Sequence, residues 1–242
     1  MTEPLLSVRG VTRRFGSFVA VSDISLDLRQ GERLGVIGPI GSGKTTLINC
    51  VAGRLRPDAG SITFAGKDVT RLEAHKRAWL GLARTFQIPQ PFHGMSLAEN
   101  LYVPLGFGAR ESPSDSRDLR KAAMEILAGL GLSAKADADC RSLSQIELRK
   151  LELARALAGR PRLLISDEAM AGLSAPEVDE VLTILFALSE RGISVIMIEH
   201  IMRAIMRFSE RVICIMAGKL VATGSPQQIV RDRQVQKAYL GE

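Results

Sequence analysis

Residues 38 to 46 read GPIGSGKTT and follow the apolar run RLGVI. Gly38, Gly41 and Gly43 carry no Cβ, so the backbone there can curl its N–H groups around phosphate oxygens. Pro39, Ile40 and Ser42 fill the positions between them, and Thr46 follows. Gly38, Gly43, Lys44 and Thr45 fit the spacing G-x-x-x-x-G-K-[ST]. In that pattern the lysine neutralises β- and γ-phosphate charge and the hydroxyl ligates Mg²⁺. The apolar run before the loop and the helical pattern after it supply the strand-to-helix context. The helix N-terminus then adds positive potential at the same spot. The stretch predicts a cradle for a nucleoside triphosphate.

Such a cradle needs a group on the metal side, and LLISDEA supplies two acids. Asp167 follows an apolar or small run and so emerges at the C-terminal end of a buried strand, where open α/β sheets bind ligands. Asp167 is placed to hold Mg²⁺ through water, and Glu168 to orient or deprotonate an attacking water. Gln87 in ARTFQ and His200 at the end of SVIMIEH carry no signal of their own.

The elements that must position these groups are partly legible. In ISLDLRQGERLGVIG, Ile24, Leu26 and Leu28 alternate with Ser25, Asp27 and Arg29, and Gln30-Gly31 reads as a turn into a second strand, an antiparallel piece. SITFAGKDV predicts a hairpin turning at Ala65-Gly66, and VICIMAGKLVATG another at Ala217-Gly218. A helix is expected over 44–52, ending at Gly53. Residues 106–118 are polar and turn-rich and read as a loop. Helical spacing of Leu119, Ala123, Ile126, Leu127 and Leu130 predicts a helix over 117–130, and a further one covers about 145–158. RLLISDE reads as a short buried strand. Ser174 and Glu177 form a capping-box pattern ahead of a helix with the stripe Val178, Val181, Leu182, Leu185, Leu188. ISVIMIEH reads as a strand ended by His200, and Ser225-Pro226 opens a C-terminal helix. Strand–helix alternation implies a parallel sheet.

The 242 residues, 46% hydrophobic and 24% charged, suit one large domain with a sizeable core. No apolar run is long enough to span a bilayer, and MTEPLLSVRG is too short and polar for a signal peptide. Cys50, Cys140 and Cys214 lack metal or redox spacing and read as reduced core thiols. The net charge of +6 comes without a Lys/Arg block, which fits a solvated basic surface.

Taken together, these segments resemble an ATP-binding cassette (ABC) nucleotide-binding subunit over nearly the whole chain. RRFG resembles the adenine-stacking region and points to Phe15. GPIGSGKTT resembles the Walker A loop, and LLISDE Walker B. TFQ puts Gln87 in the Q-loop position, which in the family contacts Mg²⁺ and touches the membrane subunit. AGLSAPE is similar to the D-loop, and IEHIM places His200 as the switch histidine that meets the γ-phosphate. LARTFQIPQPFHGMSLAENL and the ending AYLGE look like the subunits that energise uptake of branched-chain amino acids and related polar solutes. The resemblance implies an α/β P-loop NTPase core with a mostly parallel sheet and an N-terminal antiparallel β subdomain. One domain would span 1–242, with a helical subdomain inserted at 88–155. It implies ATP and Mg²⁺ as ligands: Thr45, Gln87 and Asp167 on the metal side, and Lys44, Gln87, Glu168 and His200 as catalytic groups. It also implies transmembrane permease subunits, a second ABC ATPase subunit (identical or a paralogue) and, indirectly, a solute-binding protein. No nucleic-acid partner is expected. The chain would sit in the cytoplasm, peripheral on the inner face of the plasma membrane.

The segment LSQIE departs from the family's signature, L-S-G-G-Q or L-S-Y-G-Q. Ile146 stands where a glycine lets the helix N-terminus approach the γ-phosphate held by the other protomer, with Ser144 among the groups that face it. Ser144 and Glu147 still form S-x-x-E, a helix cap. Ile40, Ala169 and Ile201 are milder departures and remove no phosphate or metal ligand. A regulatory or weakly hydrolysing subunit therefore stands as an alternative, as does a non-transport ABC ATPase. One glycine-loop motif and no long heptad run between Lys44 and Asp167 weigh against the latter. An N-K-x-D base-reading motif, which a GTPase would need, is absent.

Overall fold

A computed structural model describes residues 3–107 and 116–240. The chain opens with β1 (Leu6–Phe15) and β2 (Phe18–Leu28), then β3 (Arg33–Ile37) and helix α1 (Lys44–Val51). Next come β4 (Ala59–Phe64), β5 (Lys67–Asp68), α2 (Ala74–Trp79) and β6 (Leu82–Arg84). Helices α3 (Leu97–Phe107), α4 (Ser116–Gly129) and α5 (Gln145–Ala158) precede β7 (Leu163–Asp167). The chain closes with α6 (Ala175–Glu190), β8 (Ser194–Ile198), α7 (Met202–Phe208), β9 (Arg211–Met216), β10 (Lys219–Gly224), α8 (Pro226–Arg231) and α9 (Arg233–Leu240).

Two sheets form. One is antiparallel, in the order β2-β1-β4-β5. The other runs β10-β9-β3-β8-β7-β6, parallel throughout except for β10. The expected antiparallel subdomain and mostly parallel core are both present. The hairpin expected across Gln30-Gly31 is not. That turn carries the chain from one sheet to the other, and β3 pairs in parallel with β8 and β9. The residues explain why. Along β2 burial alternates from Ile24 to Leu28, the mark of a half-buried antiparallel strand, whereas Leu34 to Ile37 are buried without a break, as in a central parallel strand covered on both faces.

The Ala65-Gly66 and Ala217-Gly218 turns have φ of 51° and 74°, and of 45° and 77°, the left-handed pairs that match strand twist in two-residue hairpins. Helix α5 starts at Ser144 with a complete capping box to Glu147, and α6 starts likewise at Ser174 with Glu177. A cap of this kind contributes about 1 kcal/mol. The stripe Val178, Val181, Leu182, Leu185 and Leu188 is buried. The C-terminal helix is two helices, since Asp232 takes an extended conformation between α8 and α9. Helices α3 and α4 reach further into 106–118 than a loop would allow. Residues 108–115 of that stretch lie outside the described residues.

Among the described residues three apolar cores result. One lies between the antiparallel sheet, α1 and one face of the parallel sheet, with Leu6, Ile24, Leu47, Phe64 and Ile165. The second covers the other face with α6 and α7, including Leu182, Met197 and Phe208. The third belongs to α3, α4 and α5, with Leu97, Leu101, Leu127 and Leu151. The three cysteines are buried free thiols, as expected from their spacing.

Candidate active site

The parallel strands all exit on one edge. Register pairs Val36 with Ile198 and Asp167 with Ile198, so the ends of β3, β8 and β7 lie level. Strand β6 joins them through Arg84 beside Ile165, and Thr85 N–H bonds to the Ile165 carbonyl at 2.9 Å.

The glycine loop sits on that edge between β3 and α1. Gly38 and Gly43 have φ of 152° and 102°; a Cβ on Gly38 would lie 2.1 Å from the Ile215 carbonyl oxygen, and one on Gly43 2.3 Å from that of Ala20. Only glycine fits at either place. Strand β2 and the β9–β10 turn therefore press on the loop from behind. Gly218 N–H donates to the Ser42 carbonyl at 2.9 Å, and Ser22 N–H to that of Gly218 at 2.8 Å. Ile40 projects from the loop and is 93% exposed.

Whether the loop suits a triphosphate is decided by its donors. The first-turn amides of α1, those of Lys44, Thr45 and Thr46, have no protein acceptor among the described residues. They are the orphan N–H groups a helix start presents to an anion. The buried Ser42 hydroxyl also lacks a partner. Lys44 is nearly buried, and its Nζ donates to the carbonyls of Gly38 at 2.7 Å and Pro39 at 3.0 Å. Burial lowers its pKa, opposed by the nearby Glu168, Cys214 and Asp167. An ammonium ion tethered only to neutral carbonyls is a ready partner for phosphate oxygens.

Glu168 follows β7 at a φ of 48°, a left-handed conformation for a non-glycine residue, which is uncommon and mildly strained. Its N–H bonds to the Ile198 carbonyl at 2.9 Å. Gln87 Nε2 donates to Glu168 Oε2 at 2.5 Å, and His200 Nε2 lies 3.0 Å from Glu168 Oε1. The three residues thus converge although they come from three strand exits. His200 lies two residues past the end of β8 rather than ending it, in an exposed bend. Asp167 does not join the cluster. Its Oδ2 accepts from Arg84 Nη2 at 2.6 Å, in a pair where each side chain is only 9% exposed.

Two predicted residues stand apart. Phe15 lies in the β1–β2 hairpin, 47% exposed, with the Arg13 guanidinium 5.0 Å from its ring centre. The hairpin returns along β2 to Ala20, against the glycine loop. Ser144 caps α5 on the exposed surface, and among the described residues its hydroxyl and N–H bond to Glu147 and to none of the other predicted groups.

The motifs did not point to three buried polar side chains that support the site. Arg84 Nη1 also bonds Asn49 Oδ1 on α1, at 2.6 Å. Arg149, on the capped helix α5, donates to the carbonyls of Gln87 and Ala171, and so ties α5 to the segments after β6 and β7. Glu199 is 2% exposed and accepts from Met170 N–H at 2.9 Å. Burial, and to a lesser degree Glu168, pushes its pKa up to about 7, against the hydrogen bond from Met170. The available signals were a charged residue inside an apolar strand pattern at 84, and one ending such a pattern at 199.

The profile of the family described as ABC transporter matches residues 21–171, more than half of the chain. The chain belongs to the ABC transporter family. This cassette is an ATPase subunit of that family. Its residues 219–242 also match the profile described as branched-chain amino acid ATP-binding cassette transporter. It is 37% identical to the high-affinity branched-chain amino acid transport ATP-binding protein BraF of Pseudomonas aeruginosa, with all of both chains covered. It is 34% identical to the lipopolysaccharide export system ATP-binding protein LptB of Haemophilus influenzae, over 98% of each. Among solved structures, the ADP conformation of MJ1267, an ATP-binding cassette of an ABC transporter, superposes with a TM-score of 0.90 at 29% identity, covering all of both chains. Among the described residues, no helix of the cassette is long and apolar enough to cross a membrane.

Proposed function

We propose that the cassette hydrolyses ATP to drive uptake of branched-chain amino acids or related small polar solutes. The observation that carries the solute class is the match of the C-terminal segment 219–242 to the branched-chain profile. Likeness to BraF over the full length supports it.

In this reading ATP lies along the glycine loop. Phe15 stacks on adenine, and the loop residues Gly38 to Gly43 with the α1 amides hold the phosphates. Lys44 leaves the Gly38 and Pro39 carbonyls to meet the β- and γ-phosphates. Mg²⁺ suits this donor set. Among the described residues no cluster of three or more acids, histidines or cysteines could cage a metal, and Mg²⁺ beside phosphates needs only a hydroxyl, one or two carboxylates and water. Thr45 and Gln87 would hold it, with Asp167 acting through water. When bound, the ion neutralises charge building on the phosphate oxygens.

Glu168 polarises the attacking water for in-line displacement at the γ-phosphorus, and His200 contacts the γ-phosphate. One cassette offers half of the ligands. Ser144, at the N-terminus of α5, faces the phosphate bound by a second cassette, identical or a paralogue. Permease subunits dock in a groove of about 510 Å³ between α2, β6, α3 and α5, lined by Trp79, Phe86, Phe92, Val103 and Pro104. Trp79 and Ile88 at 54% and 71% exposure are large apolar groups of the kind a partner covers. The helical segment 88–155 would move with those subunits, and the cassette would sit on the cytoplasmic face of the plasma membrane.

Reconstitution with its permeases and solute-binding protein in liposomes tests the reading. ATP-dependent uptake of labelled leucine, with phosphate release rising when loaded binding protein is added, is the expected result. ATP hydrolysis with no response to branched-chain amino acids would sink the solute assignment. The likeness to LptB gives export a specific footing. Extraction of a lipid substrate from the membrane, in place of uptake, would select that second reading.

A further inference from the structure

We propose that Arg84 is a positioning residue for the metal side of the site, a brace that sets the distance between α1 and Asp167. The inference rests on the ATPase reading and goes beyond it, because the motif ARTFQ, which contains Arg84, assigns a role only to Gln87.

The geometry is specific. The Arg84 guanidinium reaches Asn49 Oδ1 with Nη1 and Asp167 Oδ2 with Nη2, both at 2.6 Å. Asn49 is four residues after Thr45 on α1, so the two share one face of the helix. Holding Asn49 therefore holds the face that bears the Thr45 hydroxyl. Asp167 ends β7, on the other side of the proposed ion. One planar fork thus links two of the elements that supply metal-side groups, α1 with Thr45 and β7 with Asp167. The Phe86 ring lies 5.6 Å from the guanidinium carbon and limits its movement. The Arg84 and Asp167 side chains are 9% exposed, so water offers no equivalent partner. The bond takes one carboxylate oxygen and leaves Oδ1 for a metal-bound water.

Lysine separates this role from simple charge. It keeps the positive charge but offers one ammonium group and no planar fork spanning two acceptors. Asn49→Ala cuts the other arm and leaves the charge beside Asp167 unchanged. The experiment measures ADP affinity in EDTA, Mn²⁺ half-saturation of the ADP complex by electron paramagnetic resonance of free Mn²⁺, and kcat. Thermal unfolding confirms that each variant folds. Arg84→Lys and Asn49→Ala are both expected to lower kcat roughly tenfold and to raise Mn²⁺ half-saturation several-fold, with metal-free ADP affinity within twofold of the parent. Parental kcat and Mn²⁺ half-saturation in both variants overturn the brace. So does an effect confined to Arg84→Lys, since Arg84 would then act on Asp167 alone. Failure of the parent to bind ADP or release phosphate counts instead against the ATPase reading.

Discussion

The side-chain amide of Gln87 donates to Glu168 Oε2 at 2.5 Å, joining the segment after β6 to the end of β7. His200 lies 3.0 Å from the other carboxylate oxygen. The proposed water-activating group is thus held on both oxygens by the two residues assigned to the metal and the γ-phosphate. In the proposed mechanism Gln87 and His200 would leave the carboxylate to meet the metal and the γ-phosphate, and Glu168 would then be free to take a proton from water.

Glu168→Gln removes that base while keeping size and backbone conformation. Steady-state phosphate release is expected to fall by about 10² to 10⁴, with ATP affinity, measured by equilibrium binding, essentially unchanged. Hydrolysis at the parental rate would show that another group activates the water.

Ile146 lies in the first turn of α5, half-buried, directly after the capped Ser144-Gln145 step. If its Cβ crowds phosphate in the assembled dimer, Ile146→Gly raises turnover. The cost to helix stability is below about 1 kcal/mol, because the exchange lies at the helix end. An unchanged rate in the full transporter would mean that the isoleucine is accommodated.

Gly43→Ala places a Cβ 2.3 Å from the Ala20 carbonyl oxygen, at a φ of 102°. Both the clash and the conformation oppose it, so a stability loss of about 1–3 kcal/mol is expected from denaturant unfolding. Nucleotide affinity falls with it. A variant with parental stability and affinity would refute the close packing of β2 against the loop.

Glu199 makes stability depend on pH. Its pKa rises from the ordinary 4.5 to about 7 in the folded chain, so the folded state binds its proton more tightly than the unfolded state. This contribution is fully present below about pH 4.5 and is lost as pH rises through about 7. Glu199→Gln removes it. The Gln Oε1 still accepts from Met170, so the variant is expected to gain up to about 2–3 kcal/mol over the parent at pH 8, with the gain shrinking toward pH 5. Parallel unfolding curves for the two proteins from pH 5 to 8 contradict the assignment.

The parts of this molecule that sequence revealed are those whose physics is local. A glycine spacing, a capping box such as Ser174 with Glu177, or a two-residue turn such as Ala217-Gly218 is complete within a few residues. Helix α3 went unread because it holds Pro104, which weakens a helical pattern, and because its apolar positions are not confined to one stripe. Strand β6 has three residues, too few for a period. The turn at Gln30-Gly31 was legible as a turn, but whether the next strand returns or crosses to another sheet depends on partners far along the chain. The same holds for Arg84, whose partners lie 35 and 83 residues away. Gln87 and His200 were found only through family likeness, and their meeting at Glu168 is a product of strand order.

Phe86 lines the groove, and the guanidinium groups of Arg54 and Arg84 lie 5.3 and 5.6 Å from its ring centre. Arg84 in turn grips Asp167. From the lining of the groove to the acid is therefore a relay of two side chains. Under the proposed docking, a permease subunit leaning on that aromatic ring would have mechanical purchase on a carboxylate it never touches, and the acid's aim would in turn constrain how deeply the subunit could settle.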